Sequence, residues 1–308
     1  MRNYYKQDNG FVETGQWKHG LWMNVVNPDD DDRHFLTEKL NVPEMFLEYL
    51  GDPEELPRVE REGVWTMTIV LVPIECSPDE GMPFRTAPFG IISKDGRMLL
   101  TVSYYKNAIV RSFVARTMKK GLNITKSADL TLQILYETAL WYLHYLKTLT
   151  NDVVGAEKDL KKSIRNDDLI WLMHLQKSLV FFNTAIKGNV MLLERVKKIF
   201  ESEIDEELLE DVDIELRQAD STVCIYSDIL ENTLDAYASI ISNNVNGVMK
   251  RMTGLSIILM VPTLIASLYG MNVDILIGGY RYAFWFIIII SMVLTACAFL
   301  WFRKIKWV

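Results

Sequence analysis

The tripeptide Gly270-Met271-Asn272, at the end of a long uncharged run, has the clearest chemical potential in this 308-residue chain. An asparagine carboxamide and a glycine carbonyl are strong hydrogen-bonding groups, and hydrocarbon offers them no partner. Polar groups at the mouth of a membrane span must therefore bind water or an ion. The tripeptide predicts a functional contact with one of these.

The chain has two uncharged runs, Met252 to Val273, which the tripeptide closes, and Tyr282 to Phe302. Each has about the ~20 residues that a helix needs to cross a bilayer. The basic residues that border them are Lys250, Arg251, Arg303, Lys304 and Lys306. Because positive charge stays on the cytoplasmic side, this pattern predicts two cytoplasmic termini and an external tripeptide. One such hairpin is too thin to enclose a conduit, so transport would require several copies.

Composition indicates a soluble body with a small membrane part. Charged residues make up 24% of the chain, and the mean hydropathy is only +0.07. The net charge of -7 argues against a nucleic-acid partner and suits the attraction of cations. The chain shows no signal-peptide pattern, phosphate-binding glycine loop, nucleophile motif or paired His/Cys metal spacing. The chain is therefore predicted not to be an enzyme.

Proline placement separates the N-terminal region from the rest, since eight of nine prolines precede residue 90. This region predicts a mixed α/β domain. The expected strands are Gly20–Val26 and Val64–Val72, with a hairpin over Pro88–Val102 that turns at Asp95-Gly96, and the expected helices are Asp31–Leu40 and Pro43–Tyr49. Acidic residues 29–32 are expected to cap the first helix, although a surface divalent-ion site is an alternative.

Long amphipathic helices are predicted after residue 126. Apolar residues recur at three- and four-residue steps over Ala128–Ile164 and Asp167–Phe200. A third helix is expected to start near Asp205 and to run through Pro262 to Tyr269, roughly 95 Å at ~1.5 Å per residue. Such a length predicts an oligomeric stalk.

One face of the third helix carries small polar, acidic and methionine side chains. Counted back from Thr263, this polar stripe contains Met260, Ser256, Thr253, Met249, Asn246, Ser242, Ser239, Asp235 and Asn232. Before Lys250 the pattern fits a solvated helix face equally well. Inside the membrane, hydroxyls should face protein or water, so the stripe predicts the wall of an axial conduit. The methionines would form apolar gates or serve as packing.

The tripeptide, the second span after it and the basic tail together resemble the signature of the CorA family of magnesium channels. The resemblance implies an α+β cytoplasmic domain, a long-helix stalk and two transmembrane helices in a funnel-shaped homopentamer. It divides the chain into residues 1–125, 126–251 and 252–308. The selectivity filter would be Gly270, Met271 and Asn272, whose neutral oxygens could bind magnesium with its waters retained. In this resemblance Asn246 matches a pore asparagine, and Asp235 matches an acidic ring. The hydrophobic constriction would be formed by Met249, Met252 and Met260.

Acidic residues cluster at the start of the predicted stalk, where they could simply favour the helix N-terminus. In CorA-like channels, carboxylates here bind regulatory magnesium between subunits and hold the pore closed. The resemblance places Asp211 at that position, and Asp205 and Asp213 are the further candidates. Loss of the bridging ions would let the subunits move apart.

The expected function is gradient-driven uptake of magnesium, with cobalt and nickel as further candidate ions, across the inner or plasma membrane. The expected partners are a lipid bilayer and divalent cations. The predicted outer loop, residues 273–281, has one acid and one arginine, whereas the family usually has several acids; this leaves the preferred ion open. A zinc transporter on the same scaffold is an alternative, although such relatives usually replace the tripeptide's methionine. A non-conducting membrane-anchored sensor is another.

Overall fold

The structure is a computed structural model that describes residues 1–18, 20–95, 98–124, 126–162, 166–201, 204–271, 281–305 and 307. The chain divides into two compact units, Met1–Asn232 and Thr233–Val308. The predicted division into three domains stays a prediction.

The first unit contains a seven-stranded mixed sheet in the order β2-β1-β3-β7-β6-β5-β4. The strands are β1 (Arg2–Gln7), β2 (Phe11–Thr14), β3 (Trp22–Val26), β4 (Arg58–Glu62), β5 (Trp65–Glu75), β6 (Phe84–Lys94) and β7 (Met98–Ser103). Neighbouring strands are antiparallel except β3 and β7, which run parallel. The predicted strands are confirmed, and Asp95 turns the β6–β7 hairpin with a φ of 48°. Gly96 lies outside the described residues.

Helices cover both faces of this sheet. The chain forms α1 (Asp30–His34), a π-helical turn (Phe35–Lys39), α2 (Glu44–Gly51), α3 (Ile109–Lys120), α4 (Ser127–Lys162), α5 (Asn166–Ile199), α6 (Glu206–Tyr269) and α7 (Ala283–Lys304). Consecutive strand residues point to opposite faces, so Ile91 packs with the core under α3 to α6 while Ile92 packs with the π-helical turn and α2. The result is a three-layer arrangement, which explains why most residues of the central strands β5 and β6 are buried, whichever face they point to.

The acidic run before α1 caps that helix as expected. Asp29 accepts a hydrogen bond from the Asp32 N–H, and the Asp32 carboxylate binds the Asp29 N–H in return. Asp32 is buried and also pairs with Arg2 and the Met1 amino group. Burial alone would raise the pKa of Asp32, but these hydrogen bonds outweigh it and lower the pKa below its ordinary value.

Five described elements had no sequence prediction: strands β1, β2 and β4, helix α3 and a short 3-10 helix over Pro78–Glu80. β1 and β2 join through a turn in which Asn9 and Gly10 both have positive φ, and their residues mix charged and apolar types without strict alternation. Helix α3 is held by contacts distant in sequence. Its Arg116 donates to the buried Glu137 of α4 at 2.7 Å and stacks over Tyr136.

Helix α5 attaches to the sheet through polar side chains that bind strand backbone. The last pair between β4 and β5 joins Arg58 to Ile69, so Leu71 lies beyond it. The buried Asn189 carboxamide accepts the Leu71 N–H at 3.1 Å and donates to the Leu71 carbonyl at 2.8 Å. Ser178 binds the Phe84 backbone in the same way, accepting its N–H and donating to its carbonyl. Both polar residues lie on the apolar face of α5 because each replaces a strand partner.

The predicted third helix is confirmed as α6, a continuous helix of 64 residues. Its C-terminal part and α7 are long and apolar enough to cross a membrane. Only 11% and 6% of their most apolar windows are buried within the chain, so lipid or other protein must cover them. Pro262 lies inside α6, and because it lacks an N–H, it frees the Ile258 carbonyl from the helix ladder.

Candidate functional site: the polar stripe of α6

All residues of the predicted polar stripe are exposed in the single chain. They are Asn232, Asp235, Ser239, Ser242, Asn246, Met249, Thr253, Ser256, Met260 and Thr263. Their apolar neighbours at the membrane end are exposed as well, with Leu255 at 51%, Leu259 at 59% and Leu264 at 60%. A polar stripe bordered by uncovered leucines fits a helix that packs beside copies of itself, with the stripe toward a shared axis.

The opposite face of α6 is the one that packs within the chain. Gly254 and Ile258 are buried, and a cavity of about 380 Å³ is lined by residues of both α6 and α7, including Pro262, Ile265 and Ser291. A helical residue advances by roughly 100°, so Ile258 lies about 200° from both Ser256 and Met260. Helix α7 therefore packs behind α6 and leaves the polar stripe uncovered.

Two membrane hydroxyls of the stripe donate their hydrogens to carbonyls of the helix itself. Ser256 Oγ donates to the Met252 carbonyl at 2.8 Å, and Thr263 Oγ1 donates to the Leu259 carbonyl at 2.9 Å. A hydroxyl whose proton is engaged offers its remaining lone pairs only as acceptors. These two positions suit a cation or its waters better than an anion. The sequence pattern identified both residues, but it did not show that their hydroxyls are available only as acceptors.

The described part of the tripeptide ends α6. The Gly270 N–H donates to the carbonyls of Ala266 at 2.9 Å and Ser267 at 3.2 Å, and Met271 is 55% exposed. A Cβ at position 270 would lie 3.2 Å from the Ala266 oxygen, which explains the small residue at this turn. Asn272 and the predicted outer loop up to residue 280 lie outside the described residues. The filter assignment stays a prediction.

The three methionines assigned to a constriction do not share one line on the helix. Met249 and Met260 lie on the polar stripe, whereas Met252 is roughly 80° from Met260 around the axis. All three are more than 60% exposed. Their role as a gate depends on neighbouring subunits and stays a prediction.

The predicted basic residues lie near the ends of the two membrane helices. Lys250 and Arg251 are exposed on α6, and Arg303 and Lys304 are exposed in the last turn of α7. Cations near a helix C-terminus are favoured by its dipole, which accounts for the pair on α7 in a single chain. Lys306 lies outside the described residues, and the predicted basic ring stays a prediction.

The three candidate regulatory aspartates have different surroundings. Asp205 Oδ1 accepts the N–H of Glu207 at 3.0 Å and so begins α6. Asp213 Oδ2 accepts a hydrogen bond from Arg217 Nε at 2.7 Å, and this pair raises the pKa of Arg217. Asp211 is exposed. In the described part of one chain, no three His, Cys, Asp or Glu side chains form a group that could hold a metal. A site shared between subunits stays a prediction.

These features define a protein with an α/β domain and two candidate membrane spans, the first of which is the C-terminal part of the long helix α6. A family model described as "CorA-like Mg2+ transporter protein" matches residues 17–304. The chain belongs to this family.

Relatives of similar length support the assignment. The cobalt/magnesium transport protein CorA of Methanocaldococcus jannaschii is 24% identical over 294 residues, which cover 94% of this chain and 91% of the relative. The magnesium transport protein CorA of Helicobacter pylori is 21% identical over 100% of this chain and 96% of its own length.

Solved structures share the fold. The complete CorA magnesium transporter of M. jannaschii matches with a TM-score of 0.83 at 20% identity, covering 100% of this chain and 99% of that one. The ZntB cytoplasmic domain of Vibrio parahaemolyticus matches with a TM-score of 0.57 at 12% identity, covering 77% of this chain and 97% of that domain. At these identities the structures establish the fold alone.

Proposed function

We propose that the chain forms a homopentameric, gradient-driven channel that takes up divalent cations, with both termini in the cytoplasm. The observation that carries the proposal is the polar stripe of α6, which is exposed along its whole length and lies opposite the α7 face. Several copies that turn these stripes inward would enclose a path lined by acceptor oxygens and methionines. The basic residues beyond both spans favour the stated orientation.

Magnesium is the proposed ion. The matched family and the named relatives are magnesium or cobalt/magnesium transporters. Neutral oxygens at Gly270 and Asn272, with hydroxyl acceptors such as Ser256, would bind a hydrated ion without stripping its waters. Cobalt and nickel are further candidates. Zinc transport on this scaffold is the second proposal, and the single acid of the outer loop is the observation that leaves the preferred ion open.

Cytoplasmic magnesium is proposed to regulate the channel. Bridging ions between the carboxylates of neighbouring subunits, at Asp211 with Asp205 or Asp213, would hold the pore closed. When the ions leave, carboxylate repulsion would favour the open arrangement. Chelating magnesium on the cytoplasmic side should raise flux through the wild type, and an unchanged flux would refute this part.

Magnesium uptake into liposomes that contain the purified protein tests transport. Asn272→Ala should abolish uptake if the tripeptide is the filter. Asn246→Ala tests the stripe, and Asn244→Ala is its matched control, because Asn244 is also exposed but lies roughly 200° away around the helix. We expect Asn246→Ala to change flux severalfold and Asn244→Ala to leave it near the wild-type value.

The outcomes separate the alternatives. Equal effects of the Asn246 and Asn244 substitutions would refute the stripe as the conduit. Zinc flux without magnesium flux would support the proposed channel but identify zinc as the transported ion. No flux of any divalent ion would favour the membrane-anchored sensor.

A further inference from the structure

The cavity of about 380 Å³ between α6 and α7 lies at the end of the candidate spans that carries the tripeptide. Its lining extends from Pro262 to Gly270 on α6 and from Phe284 to Met292 on α7. Each segment rises about 12 Å at ~1.5 Å per residue, so the cavity is a groove that runs along the two helices. This α6–α7 groove contains no residue of the polar stripe, but Tyr269 and Gly270 line it where the tripeptide begins.

The lining of the α6–α7 groove is almost entirely apolar. None of the described residues that line it is charged, and its side-chain hydroxyls belong to Tyr269 and Ser291. A serine hydroxyl within a helix can donate to the carbonyl four residues earlier, as Thr295 does at 2.7 Å. A water held in a cavity needs about two to four polar partners, which this lining does not supply. The groove therefore suits an apolar ligand.

The surroundings of the two helices decide which apolar ligand this is. Phe284 and Met292 line the groove yet are 67% and 65% exposed, so the groove is open toward the surroundings of α7. If the polar stripes turn inward, α7 lies outside α6 and meets lipid; this step rests on the proposed function. The groove follows the helices for about 12 Å, and one leaflet of hydrocarbon is ~15 Å thick, half of the ~30 Å core. The direction and depth of the groove thus match those of an acyl chain.

We propose that the α6–α7 groove binds one acyl chain of a phospholipid from the leaflet at the tripeptide end. The chain packs against Pro262 and Ile265 on α6 and against Ile288 on α7. Its part closest to the headgroup contacts Tyr269 and Gly270, so the lipid supports the turn at which the tripeptide begins. Binding of the chain requires both spans in a bilayer but no ion flux.

Native mass spectrometry tests the proposal because it counts both phospholipids and chains in one particle. The full-length protein in detergent is titrated with dioleoylphosphatidylcholine as the wild type, as Ala266→Phe and as the control Ala296→Phe. Ala266 lines the groove, whereas Ala296 is an exposed residue of α7 that does not line it, and both variants gain the same ring. We expect Ala266→Phe to retain one phospholipid fewer per chain than the control. Equal retention by the two variants would overturn the proposal.

Ser291→Leu fills the groove from the α7 side and remains informative if Ala266→Phe does not fold. It should also lose one phospholipid per chain. Fewer chains per particle with an unchanged number of phospholipids per chain would show that a second copy occupies the groove, and would also overturn the proposal. Asn272→Ala should retain the phospholipid although it abolishes magnesium uptake, which separates the lipid site from the proposed transport.

Discussion

Replacing Asn189 by leucine should weaken the attachment of α5 to the sheet. The carboxamide is fully buried and supplies both hydrogen bonds that Leu71 lacks beyond the end of β4. Leucine of similar size would leave the Leu71 N–H unpaired, at a cost of ~1–3 kcal/mol. The Leu71 carbonyl would keep the Tyr142 hydroxyl at 3.0 Å, so the second loss is smaller, ~0.5–1.5 kcal/mol. The expected total is ~1.5–4.5 kcal/mol, part of it offset by the added apolar surface.

Hydrogen exchange measured by mass spectrometry reports this change locally. Peptides from β5 should exchange faster in Asn189→Leu than in the wild type, and the first thermal transition of the full-length protein in detergent should fall. Thr184→Val is the matched control on the same helix, because Thr184 is exposed and its hydroxyl binds only the helix's own Val180 carbonyl at 3.0 Å. If both variants show the same β5 exchange, Asn189 does not replace a strand partner and the reasoning is refuted.

Further outcomes concern three positions in the first unit. Partners such as Arg2 lower the folded pKa of Asp32, so this carboxylate stabilises the fold above its unfolded pKa and loses that effect as pH falls through the folded pKa. Asp32→Asn should therefore make protein stability depend less on pH in acid unfolding curves. An unchanged curve would contradict the pairing. Burial raises the pKa of the Cys76 thiol to about 11. In a variant whose other cysteines are replaced by serine, Cys76 should therefore react with maleimide at pH 8 ~100-fold more slowly than a free thiol. Labelling at the free-thiol rate would rule this out. Gly10 has a φ of 116°, and a Cβ there would lie 2.6 Å from the α3 backbone. Gly10→Ala should therefore lower the free energy of unfolding by at least ~2 kcal/mol in thermal unfolding, whereas Gly15→Ala should change it little. Similar losses in the two variants would show that the turn can adjust.

The sequence alone determined the long helices, both candidate spans and the residues of the polar stripe. These signals are local: helical periodicity and uncharged run length need no knowledge of distant contacts. For the same reason the start of α4 and the boundaries of α5 and α6 agree with the prediction to within two residues. The predicted end of α4, Ile164, lies outside the described residues. The tripeptide was visible because polar residues stand out beside an apolar run.

Tertiary structure decided which face of each element is covered. Only the placement of α7 on the Pro262 and Ile265 face of α6 leaves the polar stripe open, and only the fold brings Pro262 and Ser291 to one cavity. Strand β1 likewise depends on pairing with β3, and β2 depends on pairing with β1. Such features arise from contacts between distant segments, and no pattern within either segment encodes them.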